Sequence, residues 1–499
     1  MKILLAAALL ALSAPAFAGD DLALVNRLSW GETAGVDTLG GQTVQAWLAA
    51  QLHPGDDDAL PPDIRAQVDA LEISHTAMVD LNKEVRALQK AANAVKGTPD
   101  FDAANKAYQQ KLNDLSRQAQ VRSLLRDLYS KNQLKEQLTW FWMNHFNVFA
   151  NKGEIRAQLA DYEDTIRAHA LGRFGDLLAA TVMHPAMLQY LDNAQNAAGH
   201  INENYAREIM ELHTLGVGSG YTQQDVQELA RILSGLGVNL TGEPPKGRPK
   251  KGDYRGKDLT LFNPDRHDFG DKTFLGMKIE GDGLDEMQKA LDNLVLQPPT
   301  AHFVSRQLAQ YFCCDAPPER LVNAMAATWK QTNGDIAAVL RTLFASRDFR
   351  ASLGHKFKDP IHWTLSALRA TVGDNTIVNE QPILNWLNRM GEPLYGHETP
   401  DGYPLTEGAW AGPGEMATRF EIARQIGVGP PQLYQPQPDP TQPPPVPPPK
   451  MPPPALEQSP YYQAVAPTLS PATTNAIAQG TNPADRNMLY LSSPEFMRR

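Results

Sequence analysis

Two long runs of helical periodicity constrain this chain most. Between Asp63 and Val95 the apolar positions Val68, Leu71, Ala77, Met78, Leu81, Val85 and Leu88 fall on one stripe, and a second polar-rich helical run covers Phe101–Asp127. The join is "KGTPD", where Gly97 and Pro99 supply stop and turn signals. Two such helices across a short join predict an antiparallel helical hairpin, built for packing or reach rather than chemistry. The same periodicity returns along most of the chain. The predicted fold class is therefore mainly α: a multi-helix globular protein with a long N-terminal helical hairpin and a small β-hairpin element.

Four or five further helices are expected over Leu134–Gly237. One boundary is legible in detail. In "GYTQQDV", Thr222 is the N-cap, Asp225 sits at the third helical position of a capping box, and Tyr221 and Val226 form the staple. That helix is expected to stop at Gly235 or Gly237. Residues Asn239–Asp282 are rich in Gly, Pro and charge and predict a loop with one short hairpin at "KTFLGMKIEG". Helices resume over Gly283–Phe349 and Pro360–Met390. A polyproline stretch, "QPPPVPPPKMPPP", has no apolar face to bury and reads as an extended spacer. The terminal "SPEF" echoes "SRDF" at Ser346–Phe349, and both read as Ser N-caps with an acid in the first turn. The resulting divisions are 1–18, 19–133 with the hairpin, 134–427 as the helical core, 428–456 as the spacer, and 457–499 as a helical segment docking on the core.

The opening "MKILLAAALLALSAPAFA" has a charged start, an apolar run and a small-x-small end, the pattern of a secretory signal peptide cleaved after Ala18. The expected location is periplasmic or secreted. No later segment reaches about 18 uninterrupted apolar residues, so no stable membrane insertion is expected. Net charge is −10, which disfavours nucleic acid as a partner. The basic run Lys246–Lys257 lies in a Gly/Pro-rich segment and reads as a solvated loop. Only two cysteines occur, the adjacent Cys313 and Cys314, too close in sequence for an ordinary mutual disulfide. They read as two thiols at a helix end, with a strained vicinal disulfide as the alternative.

Three motifs hold the unusual chemistry. On a wheel for "NENYAREIMELHTLG", Glu203, Asn204, Arg207, Glu208 and Glu211 share one arc of about 140°. Arg207 is four residues from both Glu203 and Glu211, the spacing of a bracketing ion network. On a surface each such pair stabilises by only about 0.3–0.5 kcal/mol. The rest of the wheel is apolar, so the polar arc is expected to line an interior cleft, where crowded carboxylates raise a pKa or attract a cation. His213 falls on the apolar side and reads as a hydrogen-bonded core histidine. In "LTWFWMNHFNVF", His145 sits within the apolar face while Asn144 and Asn147 lie opposite. A buried imidazole there is a metal ligand, a general base, or a donor to a backbone carbonyl. In "FNPDRHDFGDKTFLG", the adjacent His267 and Asp268 offer a nitrogen and a carboxylate for a divalent metal ion. His184, before Pro185, reads as a contact at a helix start. No Gly-x-Ser-x-Gly elbow, phosphate loop or His-Glu-x-x-His is present.

These stretches, with "HPAMLQYLDN", "PPTAHFVSRQLAQYF" and the terminal "SPEF", occur in an order that resembles the bacterial domain-of-unknown-function 1800 family. The resemblance runs from about Leu134 to Arg499. It marks Asn202–Gly216, His145 and His267–Asp268 as family motif positions, and implies export. It also implies a partner, an exported protein of the domain-of-unknown-function 1501 family. It supplies no reaction. Together the motifs predict a hydrolytic or metal-assisted enzyme, with Glu208 or Glu211 as base or ligand and Arg207 as an anion binder. The rival expectation is a non-catalytic scaffold for a co-exported enzyme.

Overall fold

The structure is a computed structural model that describes residues 19–55, 60–243, 245–373, 375–436 and 452–499. The signal-peptide expectation and most of the polyproline spacer fall outside the described residues. The chain is mainly α-helical with two small antiparallel strand pairs.

Helices α1 (Gly19–Leu28) and α2 (Val44–Leu52) lead into α3 (Pro62–Asp69), α4 (Glu72–His75), α5 (Met78–Ala94) and α6 (Phe101–Tyr129). The expected hairpin is present as α5 against α6, turning at Gly97 with φ +86°. The expected single helix from Asp63 to Val95 is instead three. Leu71, Thr76 and Ala77 are extended, and Gln118 on α6 takes the N–H of Ile73 at 3.3 Å. The sequence there, "EISHT", is rich in β-branched and hydroxyl residues, which favour the helix least and compete for its backbone. No Gly or Pro marks the break.

Helices α7 (Gln133–His145), α8 (Leu159–His169), α9 (Phe174–Met183), α10 (Pro185–Tyr190), α11 (Glu203–Glu208) and α12 (Gln223–Ile232) follow. The capping box at Thr222 and Asp225 is formed, and Gly235, at φ +80°, lies just past the end of α12. The segment after α12 holds more strand than expected. β1 (Leu236–Val238) pairs with β2 (Thr260–Phe262), Leu236 opposite Phe262, and so closes the basic loop between them. β3 (Lys272–Phe274) pairs with β4 (Met277–Ile279) in the expected hairpin. Its two turn residues, Leu275 and Gly276, both have positive φ, as a tight hairpin turn demands. Asp225 also accepts the N–H of Leu275 at 2.9 Å, tying that turn to the cap of α12.

Next come α13 (Asp285–Leu296), α14 (Pro298–Phe312), α15 (Glu319–Thr332), α16 (Ile336–Ala345) and α17 (Arg347–Ala351). After them lie α18 (Pro360–Val372), α19 (Gln381–Arg389), α20 (Glu407–Trp410), α21 (Pro413–Val428), α22 (Pro460–Val465), α23 (Pro471–Ala478) and α24 (Pro483–Leu491). Ser346 caps α17 through the N–H of Phe349, as expected. Ser493 makes the same bond to Phe496, but turns follow it rather than a helix.

Among the described residues two large hydrophobic cores organise these helices, and a small third one packs Ile64 and Val68 of α3 on Val121 and Leu125 of α6. The larger runs from α1 to α17, around Phe141, Trp142, Phe146, Tyr205 and Ile209. The second joins α18, α19, α21 and α24 around Trp363, Ile422 and Leu491. Helix α6 serves both, with Leu112 and Leu115 in the first and Leu124 and Leu128 in the second. Burial of this extent is the main stabilising term in a chain whose two cysteines are both free. The fully buried Arg27 of α1 bonds to the carbonyls of Phe312 and Cys313 at 2.7 and 3.1 Å, and to that of Arg499. One side chain thus ties the first helix, the end of α14 and the last residue together.

Candidate cavity around His145 and Glu211

His145 is the last residue of α7 and is 8% exposed. Phe141, Trp142, Phe146, Phe174 and Phe303 surround its ring, at centroid distances of 4.7 to 6.4 Å. Nε2 lies 3.0 Å from the carbonyl oxygen of His213. A carbonyl only accepts, so Nε2 carries the proton and Nδ1 keeps the lone pair. Burial in this aromatic setting holds the pKa down to about 4, with the His213 carbonyl pulling weakly the other way. The ring is therefore neutral throughout the physiological range.

The acidic motif does not continue as a regular helix. After α11 the backbone widens into a π-helical segment, Ile209–Thr214, in which the Leu215 N–H reaches back to Met210 O at 2.8 Å. Such widened turns are rare and collect at functional sites. Just past the segment stands Gly216, φ +85°, where a Cβ would lie 2.8 Å from the ring of Phe303. Only glycine permits that approach. The expected bracket is formed: Arg207 reaches Glu203 at 3.2 Å and Glu211 at 3.4 Å.

Beyond that bracket the acids part company. Glu203 also takes bonds from Gln223 and Gln227 of α12, and Asn204 is exposed and donates to Leu191 O. Neither lines the cavity described next. Arg207 is shared among Glu203, Glu211 and Gln223, and like Glu203 it does not line the cavity. Glu208 is half-buried, and its pKa is raised by burial first, then by Glu211 and Asp401. Glu211 turns inward, accepting from the Tyr221 hydroxyl at 2.5 Å.

A cavity of about 1170 Å³ is lined by both His145 and Glu211. Its apolar walls include Phe141, Leu212, Leu215, Phe303 and Trp329, and its polar lining includes His302, Arg306, Gln310 and Asp401. His302 and Arg306 of α14 both pair with Glu319. One wall is the loop Asp401–Leu405, held by two asparagines that the wheel had placed away from His145. Asn144 exchanges two hydrogen bonds with the backbone of Tyr403, at 2.9 and 2.6 Å, and Asn147 donates to His397 O and Thr399 O. Sequence reasoning missed this clamp and the α14 wall. The available signal was two asparagines flanking His145 in "MNHFN", whose amides can satisfy loop backbone from inside a core.

The third motif does not join the first two. His267 is 0% exposed, with Nδ1 2.7 Å from Ser234 O and Nε2 3.0 Å from Glu286. Glu286 is also bonded to the buried Lys272. Asp268 is gripped by Arg231, Nε at 2.8 Å and Nη2 at 3.2 Å, which holds its pKa down to about 2. Both ring nitrogens and the carboxylate are thus occupied within the protein. The metal-ligand reading of His267 and Asp268 needs a lone pair from each directed at a shared point, whereas here each faces its own protein partners. Among the described residues, no group of three or more His, Cys, Asp or Glu side chains is arranged to hold a metal ion. His184 does as expected, capping α10 through Nδ1 and meeting Asp161 at 3.0 Å. His213 departs from expectation: it is buried, yet its Nε2 has no hydrogen-bond partner. Among the described residues no helix is long and apolar enough to cross a membrane.

The fold and cavity define an α-helical protein with an internal cleft faced by a neutral imidazole and a carboxylate. The chain belongs to the DUF1800 family, described as a protein of unknown function, whose profile matches residues 23–498. Searches of curated proteins and of solved structures return no match.

Proposed function

We propose that this chain is a hydrolytic enzyme whose substrate occupies the cavity beside His145 and Glu211. The observation that carries the reading is the oriented imidazole. His213 O fixes the Nε2–H tautomer, so the acceptor nitrogen Nδ1 belongs to a ring that lines the cavity. A neutral imidazole in that state accepts a proton from a water or hydroxyl at a reacting bond. Glu211, oriented by Tyr221 and Arg207, supplies a carboxylate in the same space, where it stabilises the imidazolium that forms. The test is a panel of chromogenic esters, amides, phosphoesters and glycosides. Turnover is expected in the wild type and lost in His145→Gln and Glu211→Gln, with circular dichroism unchanged. Turnover that persists equally in both variants sinks the assignment.

A second reading is favoured by the cavity rim, where Val217 and Leu296 are 74% and 62% exposed. Large exposed aliphatics at a concave mouth suit a protein partner as well as a substrate. In this reading the chain is a scaffold, and its partner is the exported domain-of-unknown-function 1501 protein that the sequence resemblance implies. Co-purification that is lost in Leu296→Asp but kept in His145→Gln favours the scaffold.

A further inference from the structure

Cys313 and Cys314 stand at the end of α14 and do not line the cavity. Both are free thiols, with Sγ atoms 3.5 Å apart. Cys313 is buried and Cys314 is partly exposed. Their N–H groups converge on one acceptor, Ala309 O, at 2.8 and 3.3 Å. Cationic groups lie close by: Arg27 donates to the Cys313 carbonyl, and Lys356 is bonded to Asp315, the next residue along. The following turn is tied back to the cavity, because Gln310, which lines it, donates to Asp315 O at 3.0 Å.

We propose that this pair is a redox modification site, oxidised by an incoming disulfide to a vicinal disulfide that remodels the end of α14. Cys314, the accessible thiol, loses its proton and attacks one sulfur of the incoming disulfide, releasing one thiolate. Cys313, as thiolate, then attacks the Cys314 sulfur of the mixed disulfide and releases the second. The chain loses two hydrogens and two electrons, and the incoming disulfide becomes two thiols. In the reduced pair the Cys313 thiol is held down to about 7, chiefly by the hydrogen bond from Cys314, while Cys314 is pushed up by the same bond; once Cys314 is in the mixed disulfide that bond is gone, and Ser352 and Arg27 are the groups left to favour the Cys313 thiolate.

The structural consequence follows from spacing. Adjacent Cα atoms sit about 3.8 Å apart across a trans peptide, below the roughly 4.4–6.8 Å that an unstrained disulfide spans. Closing the ring must therefore reorient the Cys313–Cys314 peptide, and the two N–H groups cannot both keep Ala309 O. Strained bridges of this kind are the readily reduced ones, so the modification is reversible. The change is transmitted through Asp315 to Gln310 at the cavity wall.

The experiment treats the folded full chain with oxidised glutathione, followed by intact mass and thiol labelling. The expected wild-type product is lighter by two hydrogens, resists labelling, and recovers with dithiothreitol. Cys313→Ser should stop at a glutathione adduct on Cys314, and Cys314→Ser should take up none. Amide exchange should rise at Cys313 and Cys314 only in the oxidised wild type. A stable wild-type adduct, an intermolecular dimer, or a mass unchanged while the unfolded chain oxidises freely would each overturn the site. Unchanged amide exchange in the oxidised product overturns the remodelling.

Discussion

The Nε2 of His145 and the carbonyl oxygen of His213 lie 3.0 Å apart, joining the end of α7 to the π-helical segment that follows α11. This bond links the two sequence motifs that share the cavity. It predicts a single tautomer for His145, protonated on Nε2 across the neutral range. Long-range nitrogen–proton correlation spectra report the tautomer directly. A signal for protonated Nδ1 at neutral pH would remove the acceptor on which the hydrolytic reading depends.

Stability should fall with acid through the histidines. Burial lowers the pKa of His145 to about 4 and of His362 to about 3, against 6.5 for the ordinary side chain. Below 6.5 the unfolded chain binds protons that the folded chain refuses, so stability declines as pH drops from about 6.5 towards 4 and 3. Above 6.5 neither group contributes a slope. His145 alone accounts for roughly 3 kcal/mol over its window. Chemical denaturation from pH 7 to pH 4 should show the decline, and His145→Gln should flatten part of it. A pH-independent midpoint would contradict this.

The bracket of Glu203, Arg207 and Glu211 is the part of the site most legible in the sequence, because spacing of four on a helix dictates contact wherever the helix lies. The capping box of α12 and the β3–β4 hairpin were legible for the same reason: each is decided within a few residues. The cavity was not. Glu208 and Glu211 share an arc on a wheel turned at a constant angle, but the π-helical segment starts at Ile209 and changes that angle. Asn144 and Asn147 read as lying opposite the apolar face that holds His145, yet the loop that they clamp lies some 250 residues further along the chain. Likewise His267 and Asp268 look like one donor pair, while tertiary packing sends them to Glu286 and Arg231 separately.

Arg207→Ala should therefore be mild. Its guanidinium is 36% exposed, and exposed pairs contribute between nothing and about 1 kcal/mol. Thermal melts should place the variant within that range. Losing the arginine leaves Glu211 held by the Tyr221 hydroxyl alone. A collapse of the fold on this change would mean that the network bears far more of the structure than its exposure indicates.

The buried trio of His267, Glu286 and Lys272 should behave oppositely. The side chains of all three are 0% exposed, and each is bonded to another of the set. Removing one partner strands a charge in a low-dielectric interior, at a cost of about 3–5 kcal/mol. Lys272→Met should show such a loss in urea unfolding. Added divalent metal should not raise the melting temperature of the wild type through His267, since neither ring nitrogen is free. A metal-dependent rise that disappears in His267→Ala would establish the metal-ligand role instead.

Gly402 offers the sharpest test of the cavity wall. Its φ is +71°, and a Cβ there would lie 2.2 Å from the carbonyl oxygen of Asn144. Alanine at this position must push the loop off α7, breaking the two Asn144–Tyr403 bonds that hold Asp401–Leu405 against the cavity. Gly97 is the matched control, since its φ is +86° but no atom lies within 4 Å of the added carbon. Gly97→Ala should lose only the backbone preference, about 1–2 kcal/mol. Gly402→Ala should lose that and the clamp together, and limited proteolysis should cut it between His397 and Leu405 well before the wild type. Equal melting temperatures and equal cleavage in the two variants would show that the clamp does not hold the wall, and the cavity would then have no fixed side facing His145.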